Sequence, residues 1–294
     1  MEKNGCLPFP YKYQELDPEE KVAVAKWFKF GPKGCIVSRD YFKEASNIYN
    51  MPLRPDDIFV LSYQRSGTTW TQELVWLLAN NLDYAAAAAT PLSGRYPYLE
   101  DVIVKQIENK DNKENTVALL DLISSPITDA LSAAPAPRFI KSHLPLSLLP
   151  PPLLDTAKVV YVARDPRDVA VSYYHQCKLF EFLYEFSGTF KDFWNLFTKD
   201  LVFYTPYFMN VKEAWKKRHH PNMLFLFYEE LSKDLPAAVR RVADFLGKEL
   251  TTEELDRLYD HLSIESFKTN KSVNYEDMRE CGLLSSGETF IRKG

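Results

Sequence analysis

Three stretches of this sequence bring together residue types that handle anions and protons. The first is YQRSGTTW, Tyr63 to Trp70. A turn built on Gly67 lets several main-chain N–H groups face one anion, and a helix starting just after it adds positive potential. Ser66, Thr68 and Thr69 supply hydroxyl donors and Arg65 supplies charge. The nucleoside-triphosphate pattern G-x-x-x-x-G-K-[ST] is absent: no glycine lies five residues before Gly67, and Thr68 and Thr69 follow it. Taken alone, the stretch serves equally as an N-capping Ser66 ahead of an amphipathic helix. The second stretch is RDPRDVAVSYY, Arg164 to Tyr174. Arg164 ends an apolar run one residue before a helix start, a place that suits a phosphate, although pairing with a surface carboxylate is the commoner fate of an arginine. Ser172 lies two turns into that helix, where serine usually faces solvent or bonds its own backbone. Tyr173 and Tyr174 read as packing. The third stretch is KSHLPLSLLPPP, from Lys141. His143 follows an apolar run, and imidazole suits general-base work because it titrates near neutrality. His219 and His220 lie in a basic run that reads as solvated, and His175 and His261 read as helix packing.

These groups need elements to hold them. Short apolar runs at 58–61, 138–142 and 158–164 read as buried strands. MLFLFYEEL, from Met223, reads as a fourth strand running into a helix that extends toward Gly247. A helical pattern begins at Ser66, with Trp70, Leu74, Leu77 and Leu78 on one face. Asp165 with Pro166 forms a helix start, and TTEELDRLYDHL opens on a capping box. Ala85 to Ala89 is a run of strong helix formers, and residues 1–50 carry no motif. Strands alternating with helices predict an α/β fold: one domain over 1–294, with a central, mainly parallel sheet flanked by helices. In such sheets ligands bind beyond the carboxyl ends of the strands. Ser66–Thr69, His143, Arg164 and Tyr228 each follow one of the four predicted strands, so they are expected to converge.

Composition narrows the classes. The chain has 294 residues, near the upper size for one core, and a net charge of −4 gives no general attraction to nucleic acid. The four cysteines, Cys6, Cys35, Cys177 and Cys281, form no C-x-x-C pair and no zinc-ligand spacing, so free thiols and no metal are expected. MEKNGCLPFP lacks the apolar core of a signal peptide, and no run approaches the ~20 apolar residues of a membrane span. A soluble, cytoplasmic protein with no membrane partner is the expectation.

In this order the stretches resemble the cytosolic sulfotransferase family. Its pattern is a YPKSGTTW-like loop, K-[TS]-H-L-P, R-x-x-x-D-x-x-x-S, a strand ending in F-Y-E, and R-K-G-x-x-G-D-W-K. This chain carries YQRSGTTW, KSHLP, RDPRDVAVS and FYEE, and ends at RKG, a resemblance spanning roughly 35–294. RPDDIFVLSY and TQELVWLL resemble insect members. The resemblance implies transfer of a sulfuryl group from 3′-phosphoadenosine 5′-phosphosulfate (PAPS) to a small hydrophobic hydroxyl compound such as a phenol, steroid or retinoid alcohol. It implies a P-loop-like turn in which Arg65, Ser66, Gly67, Thr68 and Thr69 hold the 5′-phosphosulfate. Trp70 would stack on adenine and Tyr228 would contact its side. Arg164, Ser172, Arg292, Lys293 and Gly294 would hold the 3′-phosphate. His143 would be the base, Lys141 would bind substrate or sulfuryl oxygens, and Ser66 would hold the Arg65 side chain back until acceptor binds. Tyr96, Tyr98 and Gln176 fall at acceptor-pocket positions, with Phe9, Phe190 and Phe193 as further wall candidates.

The chain also departs from the family. Arg65 replaces a lysine, Gln64 a proline, and Leu262 and Ile264 a threonine and an aromatic that touch adenine. The G-D-W-K end of the family domain and the segment through which many relatives form homodimers are absent. Alternative readings are a sulfotransferase-like dehydratase acting on an allylic alcohol, a nucleotide kinase using ATP and Mg²⁺, and a non-catalytic binder of 3′-phosphoadenosine nucleotides.

Overall fold

Ile58–Ser62 is buried along its whole length, and alternate side chains enter two different cores. Phe59 and Leu61 face one core, Ile58 and Val60 the other. A strand covered on both faces reads as a continuous apolar run, which is why this segment and Lys158–Ala163 stand out in the sequence. The structure, a computed structural model, describes residues 7–16, 27–100 and 127–292. Seven strands among them form two sheets. β1 (Tyr13–Glu15), β2 (Trp27–Phe30) and β3 (Cys35–Ser38) form an antiparallel sheet in that order. β4 (Ile58–Ser62), β5 (Phe139–Ser142), β6 (Lys158–Ala163) and β7 (Met223–Phe227) form a wholly parallel sheet in the order β5-β4-β6-β7. The α/β expectation and the four strands of the central sheet are therefore borne out, with ends shifted by about one residue.

Helices cover both faces of the parallel sheet. Thr68–Ala79, Leu235–Leu246 and Thr252–Leu262 pack into the core that holds Val60 and Val162. Pro166–Leu179 packs on the opposite face with the antiparallel sheet. Asp165 caps Pro166–Leu179 by accepting from Arg167 N, and Thr251 with Glu254 forms the expected capping box. No helix of the described residues is long and apolar enough to cross a membrane.

Three expectations change. The helix after the first loop starts at Thr68 rather than Ser66, with Gly67 as N-cap in the left-handed region and no side-chain cap, so Ser66 is not a capping residue. The single helix expected after β7 is two, Tyr228–Lys233 and Leu235–Leu246. Asp234 breaks them by accepting from Ala237 N, with a proline in the first turn of the second. The antiparallel sheet was not expected. Its signal is GPKG at 31–34, a turn with left-handed Gly31 and Gly34 set between the apolar runs WFKF and CIVS.

Two features fix β5. Arg138, just ahead of it, makes a bidentate pair with Asp57, just ahead of β4: Nε lies 2.7 Å from Oδ1 and Nη2 2.5 Å from Oδ2. On its open edge, Leu99 N donates to Lys141 O at 2.9 Å and Lys141 N donates to Pro97 O at 3.1 Å, which places Tyr98 opposite Lys141 in parallel register.

Candidate functional site

A cavity of about 660 Å³ lies beyond the carboxyl ends of the parallel strands, lined by residues that follow all four. The loop after β4 forms its floor. Arg65 and Gly67 both have left-handed φ, 65° and 102°. A Cβ on Gly67 would also sit 2.8 Å from Tyr228 Cδ2, so both the backbone and the close approach of Tyr228 require glycine here. Thr68 Oγ1 is tied to Ser62 Oγ at 2.6 Å, which locks the start of the helix to the end of the strand. Ser66 Oγ is buried and lacks a partner among the described residues.

Two arginines converge on this loop. Arg164, one residue past β6, stacks on the Tyr228 ring at 4.0 Å and donates from Nη1 to Arg65 O at 3.3 Å. Its Nε is buried and unpaired among the described residues. Arg65 donates from Nε to Ser172 Oγ at 3.0 Å and from Nη2 to Phe290 O at 3.1 Å. Ser172, not Ser66, therefore restrains the Arg65 side chain. Burial pulls the Arg65 guanidinium down to about 10, so it stays protonated at neutral pH. A buried hydroxyl and a buried guanidinium N–H without partners, above a glycine turn at a helix N-terminus, fit an anionic phosphate or sulfate group.

His143 lies at the other end of the cavity. Its Nδ1 is 2.9 Å from the Ser62 carbonyl, which can only accept, so Nδ1 carries the proton and Nε2 keeps a lone pair. Burial, then the charge of Lys141, holds its pKa well below the usual imidazole range, so the ring is neutral. Tyr98 and Tyr204 flank it edge-on, each with ring centroids 5.4 Å away, and their hydroxyls are hydrogen-bonded to each other. The Lys141 ammonium sits 4.1 Å over the Tyr98 ring.

Of the residues singled out in the sequence, Arg65, Gly67, Thr68, Thr69, Trp70, Tyr98, Lys141, His143, Arg164, Ser172, Gln176, Tyr228 and Arg292 all line this cavity. Lys293 and Gly294 lie outside the described residues. Tyr96 does not line it: the ring is buried in the core on the far side of the sheet, against Phe139. Tyr96 is the C-cap of the short helix Leu92–Arg95, whereas Tyr98, paired with Lys141 at the sheet edge, has its ring beside His143. Phe9 packs with Tyr11, Phe30 and Tyr49, Phe193 is core, and Phe190 is an exposed ring on its helix, so none of the three forms the wall. Leu262 and Ile264 do reach the cavity, and the Leu262 carbonyl takes the Trp70 indole N–H at 2.8 Å. The apolar replacements thus still form a wall beside Trp70 and Tyr228.

The sequence reading missed Trp27, Tyr184, Phe203, Tyr204, Tyr275 and Phe290, aromatic residues of the same cavity. Gln64 holds two of them. It donates to Phe203 O at 3.1 Å and accepts from Tyr184 OH at 3.1 Å, and Tyr184 OH accepts from Gln176 Nε2 at 2.8 Å. The residue that departs from the family pattern ties the anion loop to the cavity wall. Among the described residues no cluster of His, Cys, Asp and Glu is placed to hold a metal ion.

Comparison with known proteins gives the same picture. The sulfotransferase domain model matches residues 55–294. The chain is 37% identical over 271 residues to the luciferin sulfotransferase of Photinus pyralis, covering 90% of this chain and 72% of that protein. It is 35% identical to sulfotransferase 1B1 of Canis lupus familiaris, covering 84% and 78%. Among solved structures it is similar to retinol dehydratase in a complex with retinol and PAP. That likeness has a TM-score of 0.90 and 52% identity, and covers 98% of this chain and 90% of the other. The chain belongs to the sulfotransferase family.

Proposed function

We propose that this member of the family moves the sulfuryl group of PAPS onto the hydroxyl of a small hydrophobic acceptor in the cytoplasm, with His143 as general base. One observation carries the reading. A neutral imidazole fixed through Nδ1, with Nε2 unprotonated, shares one cavity with an anion loop and the Arg164 that converges on it, and the Ser66 hydroxyl of the loop and the Arg164 Nε are unpaired among the described residues. PAPS supplies the sulfuryl group and a 3′-phosphoadenosine handle. The loop Arg65–Thr69 would hold the 5′-phosphosulfate. Arg164, Ser172 and Arg292, with Lys293 and Gly294, would hold the 3′-phosphate. Trp70 and Tyr228, beside Leu262 and Ile264, would hold the base.

The chain's own groups then divide the work. Nε2 of His143 takes the acceptor proton as the hydroxyl oxygen attacks. The transition state of such a transfer is loose, so catalysis rests on positioning and on cations at the moving charge. Arg65 meets the charge that builds on the bridging oxygen, and Lys141 meets the sulfuryl oxygens or the acceptor. Tyr98, Tyr204, Phe203 and Trp27 exclude water and fit an apolar acceptor; Gln176 adds a polar amide to that wall.

The likeness to retinol dehydratase supports a second reading, in which the same transfer is followed by elimination. An allylic sulfate ester made at the site would lose sulfate, and a neighbouring carbon would lose a proton to a base, giving the extended alkene. Incubation with PAPS and retinol separates the two by product: a stable sulfate ester, or a hydrocarbon lighter than retinol by one water. The common core of both readings is tested by thermal denaturation. PAP should raise the Tm well above any effect of ATP with Mg²⁺, and the reverse order would remove both.

A further inference from the structure

Glu100 is a buried carboxyl that the transfer described above does not use. It arrives on the segment that extends the sheet past β5. Tyr98 stands opposite Lys141 in parallel register, and Glu100 lies in the turn that follows, where its side chain reaches His143, two residues after Lys141. His143 lies one residue beyond the end of β5, outside the ladder, and its main-chain N–H has no strand partner to donate to. The Glu100 carboxylate accepts that N–H through Oε1. The other end of the same peptide segment is held too. Asn210 Nδ2 donates to His143 O at 2.8 Å, and Tyr161 OH fixes Asn210 through Oδ1 at 2.7 Å. With Nδ1 on Ser62 O, the residue is held at main-chain nitrogen, main-chain oxygen and ring.

We propose that Glu100 is a positioning residue for the base: its carboxylate holds the main chain of His143 and thereby aims Nε2 at the acceptor hydroxyl. The inference rests on His143 being the base. A neutral acceptor would satisfy one N–H at less cost than a carboxyl excluded from water. A carboxylate accepts more strongly, and its charge faces that of Lys141, which opposes the imidazolium formed when the proton arrives. Among the described residues, other titratable groups near it do not supply that charge: Cys35 on β3, Tyr41 on the following helix, and Tyr204 are all pushed up by burial and stay neutral. Burial raises Glu100 itself to about 7, with His143 N–H, Ser142 and Lys141 pulling it back. His143 is held well below its usual range, so among the described groups of the site a limb in the rate near neutrality is assigned to Glu100.

The test is PAPS-dependent turnover of a simple phenol by the full chain and by Glu100→Gln, Glu100→Ala and His143→Ala, with PAP affinity measured separately. The amide oxygen of Glu100→Gln still accepts the N–H, so most turnover is expected to remain at pH 8, with the acid limb near pH 7 gone from the kcat profile. Glu100→Ala is expected to lose about 10- to 100-fold in kcat, the size of effect a misplaced reacting group produces, with PAP affinity and acceptor KM nearly unchanged. Unchanged kcat in Glu100→Ala, or an unchanged acid limb in Glu100→Gln, overturns the proposal. If Glu100→Ala does not fold, the Glu100→Gln profile alone decides. His143→Ala separates the two levels: turnover surviving in it removes the base assignment itself, whereas turnover lost there but intact in Glu100→Ala removes only the role of Glu100.

Discussion

Arg65 stands where the family pattern has lysine, and the structure shows what the change alters. Its fork reaches two acceptors at once, Ser172 Oγ and Phe290 O, while the ring of Phe290 lies 4.7 Å beneath it. A lysine ammonium can meet the same developing charge as a point, but it cannot bridge both groups in one plane. Arg65→Lys is therefore expected to keep most turnover and to loosen the segment that carries Phe290. Arg65→Ala should lose on the order of 10²- to 10³-fold in kcat, the loss seen when one such donor is removed. Steady-state kinetics of the pair check this, and full turnover in Arg65→Ala would show that the charge acts elsewhere. At the opposite end, His143→Ala should abolish turnover while PAP still binds, because the ring meets the acceptor side of the cavity and the loop meets the anion. Isothermal calorimetry with PAP and a turnover assay distinguish those two losses.

The loop and strands that carry these side chains were largely legible, and the reasons are local. β4 and β6 announce themselves because both their faces are buried, and the Asp165–Pro166 start was readable because its cap lies in the sequence itself. The cavity wall was not readable in the same way. Phe203, Tyr204, Tyr275 and Phe290 come from connections with no period and Tyr184 from a one-turn helix, and only the fold brings them beside Arg65 and His143. Tyr96 was misplaced because it ends the short helix Leu92–Arg95 and puts its ring in the core against Phe139, while Tyr98 begins the sheet-edge pairing beside His143. Two substitutions test elements rather than single contacts. Gly67→Ala must move the Tyr228 ring and tolerate a φ of 102°, so PAP affinity should fall at least tenfold with the fold retained. Tight PAP binding by this variant would show that the turn adapts. Arg138→Ala leaves Asp57 as an unpaired buried charge where β4 and β5 begin, and should cost about 3–5 kcal/mol in urea unfolding, far from the cavity.

At the scale of the whole molecule, the antiparallel sheet and the parallel sheet meet near the acceptor end of the cavity. β3 exchanges main-chain hydrogen bonds with the segment that carries Tyr204: Ile36 N donates to Thr205 O, and Tyr204 N donates to Ile36 O, each at 2.8 Å. Glu100 lies close enough to this junction to act on Cys35 and Tyr41 as well as on His143. A carboxyl buried there lowers stability whenever it is ionised, and the sign follows from its folded pKa of about 7 against about 4.5 in the unfolded chain. Its neutral form is the one the fold favours. The stability it contributes is full below about pH 4.5 and is lost as pH rises through about 7. The chain is accordingly expected to be less stable at pH 8 than at pH 5 by an amount on the order of 3 kcal/mol from this group alone. Glu100→Gln removes the ionisation and keeps the acceptor, so its stability gain over the natural chain should grow from pH 5 to pH 8. Urea unfolding of both proteins at the two pH values measures that gain, and a gain independent of pH would mean the carboxyl titrates normally. A site that keeps such a group holds a charge beside its base at the expense of the joint between its sheets, which is the direction in which stability and activity usually conflict.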